Sequence, residues 1–181
     1  MKPALVALDR TLNRLYLLCG VVAAGAIVII AVLVALSILS RLAGIYVGGL
    51  TEGAGYAMAA AGTFGLAYTF GAGGHIRVDL VLNLLPGKSR SAVELLALAV
   101  TTGVMAFLTY YFVRMVSISW KFGDLSDGSD ELPLWLPQFP AALGFTVFAL
   151  ALCHHLVRYM LIGEVTWASD ENSLLDDQTG D

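Results

Sequence analysis

The chain has 181 residues, of which 58% are hydrophobic and only 13% charged, and its mean hydropathy is +0.79. Soluble domains carry about 25% charged residues, so this composition excludes an ordinary water-soluble fold and implies an all-α integral membrane protein. The 10 lysines and arginines never gather into a stripe, which excludes nucleic-acid binding, and the net charge of −4 comes largely from two acidic segments, Asp124–Glu131 and Ser169–Asp181.

Crossing a bilayer takes about 20 apolar helical residues. The first such run, Tyr16–Leu39, contains no charge. It exceeds the apolar core of a signal peptide and reads as a retained span. Val, Ile and Leu cover most of its faces, suited to lipid or to a broad partner surface.

The second span is expected at about residues 50–73, with Glu52 at its start. Glu52 is either a solvated carboxylate favoured by the positive end of the helix dipole or a polar contact to a neighbouring helix or subunit. Gly53, Ala57, Ala61 and Gly65 recur every four residues along one ridge. Small residues at that period let another backbone approach closely where lipid supplies no hydrophobic drive, although so Ala/Gly-rich a segment also produces the pattern by chance.

The stretch GAGGHIRVDLVLNLLP (Gly71–Pro86) follows. At helical period Val78, Val81, Leu82 and Leu85 form an apolar stripe, and His75, Asp79 and Asn83 a polar one. This predicts a short amphipathic helix lying in the interface after the second span. Pro86 and Gly87 stop it before Lys88 and Arg90.

A third span is expected at about 93–119, interrupted only by Glu94 and Arg114 near its ends, and a fourth at about 138–162. Pro137 and Pro140 fall at the start of the fourth, where a missing N–H costs little. Trp120 and Trp135 are placed as interfacial aromatics. Residues 1–165 therefore read as one four-helix transmembrane domain, and 166–181 as an acidic, disordered tail.

Orientation follows from the distribution of basic residues. Lys2, Arg10, Arg14, Arg77, Lys88, Arg90 and Arg158 collect on one side, against Arg41, Arg114 and Lys121 on the other. Both termini are expected in the cytoplasm. The acidic loop between the third and fourth spans then faces outward, either simply solvated or touching a docking protein.

No catalytic constellation is present. Neither a Ser/His/Asp ordering, HExxH, a P-loop nor a dinucleotide fingerprint occurs, and Cys19 and Cys153 lie in apolar runs without metal-type spacing. Most ionisable residues sit at span ends, which weakens the usual functional reading of intramembrane charge. His75 and His154 would lie at similar depth, so a haem between them, as in the anchor subunit of a redox complex, is one alternative. That depth is shallow, and a second pair of histidines is lacking. A small self-contained channel or exporter is another alternative.

HIRVDL followed by an apolar run and Pro86 resembles the signature of the small, four-span membrane subunit of tripartite ATP-independent periplasmic (TRAP) transporters. Glu52 opening the second helix, the small-residue helix leading into the motif, and LPLWLPQFPAALGF (Leu132–Phe145) before the fourth span match in the same order. The connection before Glu52, AGIYVGGLTEG, departs from the family in its glycines and in lacking a tryptophan.

The resemblance implies a non-catalytic inner-membrane subunit of a sodium-coupled secondary transporter. A periplasmic protein captures an organic acid of carboxylate or sialic-acid type, and a large membrane subunit moves it inward. The sodium sites would belong to that large subunit, and no cofactor is expected in this chain. Carried onto this sequence, the resemblance makes Glu52, His75, Arg77 and Asp79 the positions that contact the large subunit or phospholipid headgroups.

Overall fold

A computed structural model of the chain describes residues 3–72, 87–128 and 131–162. Among these residues there are four helices: α1 (Pro3–Leu42), α2 (Leu50–Gly71), α3 (Gly87–Phe122) and α4 (Trp135–Ile162). The expected interfacial helix at 75–86 and the acidic tail lie outside the described residues.

Three helix ends have a clear local cause. α1 closes in a Schellman arrangement, with the Ile45 N–H donating to Ser40 O (2.9 Å) and Gly44 N–H to Arg41 O (3.1 Å). Gly44 takes the required left-handed conformation at φ 70°. α3 ends similarly, with Gly123 at φ 65° and the Asp124 N–H donating to Ser119 O. In α4, Pro137 falls within the first turn, whose N–H groups have no helical partner. Pro140 lies one turn deeper and leaves the Leu136 carbonyl without its helical donor.

Three of the helices are long and apolar enough to cross a membrane: Thr11–Leu42, Ser89–Phe122 and Trp135–Met160. α2 has 22 residues and so extends about 33 Å, enough for a hydrocarbon core of about 30 Å. It falls short in apolarity, because glycine, threonine, tyrosine and Glu52 dilute its alanines and phenylalanines.

The helices form a row in the order α1, α2, α4, α3. α1 and α2 run antiparallel, since Gly53 lies beside Leu33, Gly65 beside Ala23 and Gly71 beside Tyr16. α2 and α4 run parallel: Thr63 meets Gly144, and Phe70 meets Phe148 and His155 further along both helices. α3 and α4 are antiparallel, with Trp120 against Trp135 at one end and Tyr159 bonded to Ser91 at the other. Successive helices thus alternate in direction, as they must if each traverses one slab.

The core lies along the α1–α2 and α2–α4 seams. Tyr16, Cys19 and Ala23 of α1, Phe64, Ala67 and Phe70 of α2, and Val147, Phe148, Ala151 and Leu152 of α4 are buried together, with Met105 reaching in from α3. Many of these residues are small, which lets the helices approach closely. In lipid such packing is driven by dispersion, because exposed apolar surface carries no penalty there. α1 and α3 expose long rows of large apolar side chains, among them Ile27, Val28, Val104 and Phe107.

Candidate functional site

Because helices successive in the chain alternate in direction, the C-termini of α1 and α3 and the N-termini of α2 and α4 come to one end. The loop joining α3 to α4 closes over this end. It is held by Ser126 N–H donating to Leu132 O (2.8 Å) and Leu134 N–H donating to Asp124 O (2.9 Å). The Ser126 hydroxyl accepts from the Gly128 N–H at 3.2 Å and shares a 2.7 Å hydrogen bond with the Tyr56 hydroxyl of α2. The acidic loop is therefore tied back onto the second helix.

Glu52 sits at this end in the first turn of α2 and is half-buried. The positive end of the helix dipole makes that turn a favourable place for a carboxylate. It lies one turn from Tyr56, on the same part of α2 that receives the loop.

Trp120 and Trp135 stack at a tilt, with ring centroids 4.4 Å apart. With Val116, Ser117 and Phe139 they line an open apolar groove of about 430 Å³. Sequence reasoning placed each tryptophan at the interface and missed their pairing, which depends on how α3 and α4 dock.

The ridge residues Gly53, Ala57, Ala61 and Gly65 are all half-buried. A methyl group added at Gly53 would meet Leu33 Cδ1 at 3.4 Å, and one at Gly65 would meet Ala23 Cβ at 4.0 Å, so both glycines face α1. The tightest approaches are elsewhere. Tyr16 of α1 covers Gly71 of α2 and Tyr68 of α2 covers Gly20 of α1, a reciprocal tyrosine-on-glycine contact. α4 presses Gly144 against Thr63, whose hydroxyl donates back to Ala59 O and Ala60 O. A period-four search along α2 alone does not reach Gly20, Gly144 or Thr63.

At the opposite end, α2 stops at Gly71 and leads toward the HIRVDL stretch. His75, Arg77 and Asp79 lie outside the described residues. What surrounds that exit on α4 is described: His155 stands edge-on to Phe70 with centroids 4.9 Å apart, and His154 stands edge-on to His155 at 5.6 Å. The contact with Phe70 places His155 in the aromatic packing between α2 and α4, and His154 lies against His155. No group of three His, Cys, Asp or Glu residues able to hold a metal occurs among the described residues.

Residues 30–161 match the family model described as tripartite ATP-independent periplasmic transporters, DctQ component. The chain belongs to this family. The match covers well over half of the sequence and includes α2, the HIRVDL stretch, α3 and nearly all of α4. No curated protein and no solved structure matches the chain. DctQ is the small membrane component of a tripartite transporter, and the family works with a large membrane subunit and a periplasmic binding protein.

Proposed function

We propose that this DctQ chain is the non-catalytic scaffold of a sodium-coupled, binding-protein-dependent importer of an organic acid of carboxylate or sialic-acid type. The observation that carries the reading is the family match across residues 30–161. It is supported by the long apolar rows on α1 and α3, which suit a protein surrounded by lipid and a membrane partner.

On this reading the chain crosses the bacterial inner membrane four times. α2 is long enough in residues, runs opposite to α1, and rests between α1 and α4, which relaxes the need for an apolar surface all round. The bias of basic residues puts both termini in the cytoplasm. Sodium and substrate bind the large subunit, and this chain carries no cofactor. Glu52, His75, Arg77 and Asp79 contact that subunit or phospholipid headgroups, and the ridge Gly53, Ala57, Ala61 and Gly65 serves helix packing. Arg77 would pair with a carboxylate or phosphate through charge-assisted hydrogen bonds.

Co-expression with the large subunit, followed by affinity purification and sodium-driven uptake in liposomes with the binding protein, tests this. The wild-type chain should recover the large subunit, and uptake should need both membrane components. Arg77→Ala and Asp79→Ala should lower recovery or uptake; wild-type values for both variants would remove the role assigned to the motif. Uptake by the large subunit alone at the full rate would end the scaffold reading.

A further inference from the structure

α3 turns one face to α4. Met105 and Leu108 of that face join the core, the Thr109 hydroxyl donates to Phe145 O across the seam at 3.2 Å, and Phe112 meets Phe145 with centroids 4.6 Å apart. The face about 180° round the helix, at 3.6 residues per turn, carries Phe107, Tyr110, Tyr111, Arg114 and Ile118. All five are exposed, Phe107 by 64% and Tyr110 by 61%.

This face differs in chemistry from the exposed face of α1. There the large exposed side chains are aliphatic, including Val21, Ile27, Val28, Val32 and Leu36, and lipid satisfies them fully. On α3 the row contains a guanidinium and two phenols. Among the described residues Arg114 has neither an ion pair nor a side-chain hydrogen bond, and neither do the hydroxyls of Tyr110 and Tyr111. Polar groups left unpaired in hydrocarbon are costly.

Snorkelling offers Arg114 little relief. The nearer interface is marked by the Trp120–Trp135 pair, six residues or about 9 Å further along the axis. Helical side chains lean toward the N-terminus, so Arg114 leans away from that interface. One turn of stripe below Phe107, Gly103 has nothing within 4 Å of an added methyl group, leaving room for a second helix to come close.

We infer that this face of α3 seats a transmembrane helix of the large subunit, and that the helix brings an aspartate or glutamate to the depth of Arg114. The two tyrosine hydroxyls flank that ion pair and donate to the same carboxylate or to its backbone. The inference rests on the partner reading above and deepens it by assigning the face. α1's outer face is left to lipid.

A photo-crosslinking residue at Phe107, with Val28 on α1 as the comparison, tests the assignment in the co-purified complex. Phe107 should crosslink to the large subunit and Val28 should not. Arg114→Glu should lose most of the co-purified large subunit, Arg114→Lys should keep it, and reversing the partner acid identified by the crosslink should restore the Arg114→Glu complex. Crosslinks to the large subunit from Val28 but not from Phe107 would overturn the assignment while leaving the scaffold reading intact. Crosslinks from Phe107 to lipid alone, with full recovery for Arg114→Glu, would make Arg114 a phosphate anchor and overturn it too. Failure of the wild-type chain to co-purify with the large subunit would instead overturn the underlying reading, and the assignment with it.

Discussion

A methyl group at Gly144 would lie 2.6 Å from Thr63 Cβ and 3.0 Å from the Thr63 backbone carbonyl carbon. Backbone cannot swing aside as a flexible side chain can, so Gly144→Ala must push α4 away from α2. Overpacking of this kind costs about 1–3 kcal/mol. Gly62 offers the control, because nothing lies within 4 Å of a methyl group there. Gly62→Ala should be neutral, or stabilising by up to about 1 kcal/mol, since glycine weakens a helix interior. Thermal unfolding of the detergent-solubilised protein should therefore rank Gly144→Ala below wild type and Gly62→Ala level with it or above. Equal melting of all three would mean that the α2–α4 crossing is not tight. The sequence announced small residues on α2 through their spacing, but a period along one helix cannot say which glycine meets which side chain across a seam. Gly144 and Thr63 are 81 positions apart in the chain, and only the docking of α2 on α4 joins them. Arg114 was legible as a charge in an apolar run, whereas the face it occupies follows from where α4 sits.

Helices of this chain outrun the apolar runs that reveal them. α1 begins at Pro3, ahead of the apolar run from Tyr16, and α3 begins at Gly87, ahead of Val93. Hydropathy marks the stretch that tolerates hydrocarbon, while helix ends are set by glycine and by unsatisfied backbone groups. The glycines at 44 and 123 carry that second signal. What no element-level reading contains is the tie between Tyr56 and Ser126, which joins α2 to the loop after α3 at 2.7 Å. Removing it with Tyr56→Phe should free the loop without displacing α2, at a cost near 1 kcal/mol for one hydrogen bond. Hydrogen exchange at residues 124–128 and 131–134 should rise in Tyr56→Phe and at least as much in Ser126→Ala, which also loses the Gly128 N–H bond, and the double variant should rise no further than Ser126→Ala. Additive increases would show that the two side chains act separately.

On the scale of the whole molecule, the membrane crossing of α2 decides the topology. Tyr46, in the connection before α2, is 85% exposed, and Ser89, at the start of α3, is exposed as well. In a background lacking Cys19 and Cys153, a cysteine at position 46 should react with an impermeant maleimide added to the periplasmic side. A cysteine at position 89 should react only after the membrane is opened. Labelling of both from the same side would mean that α2 does not cross. The all-helical class was legible from composition, and the family from the HIRVDL stretch. On the reading proposed above, the motif's contacts arise only in the assembled transporter, so a single chain's sequence holds the residues without their partners.

The row order α1, α2, α4, α3 also has a consequence for the time course of synthesis. If α2 crosses the membrane, α1 and α2 can pair as soon as both have left the translocon. α3 emerges next, yet its place in the row is beside α4, which does not yet exist. α3 must therefore wait in lipid until the last helix inserts between it and α2. α4 is the keystone: it touches α2 through Gly144 and Phe148 and α3 through Phe145 and Trp135. A ribosome halted after Phe122 would leave an α1–α2 hairpin and an α3 that, among the described residues, has no close packing against it, and membrane quality-control proteases would meet them as such.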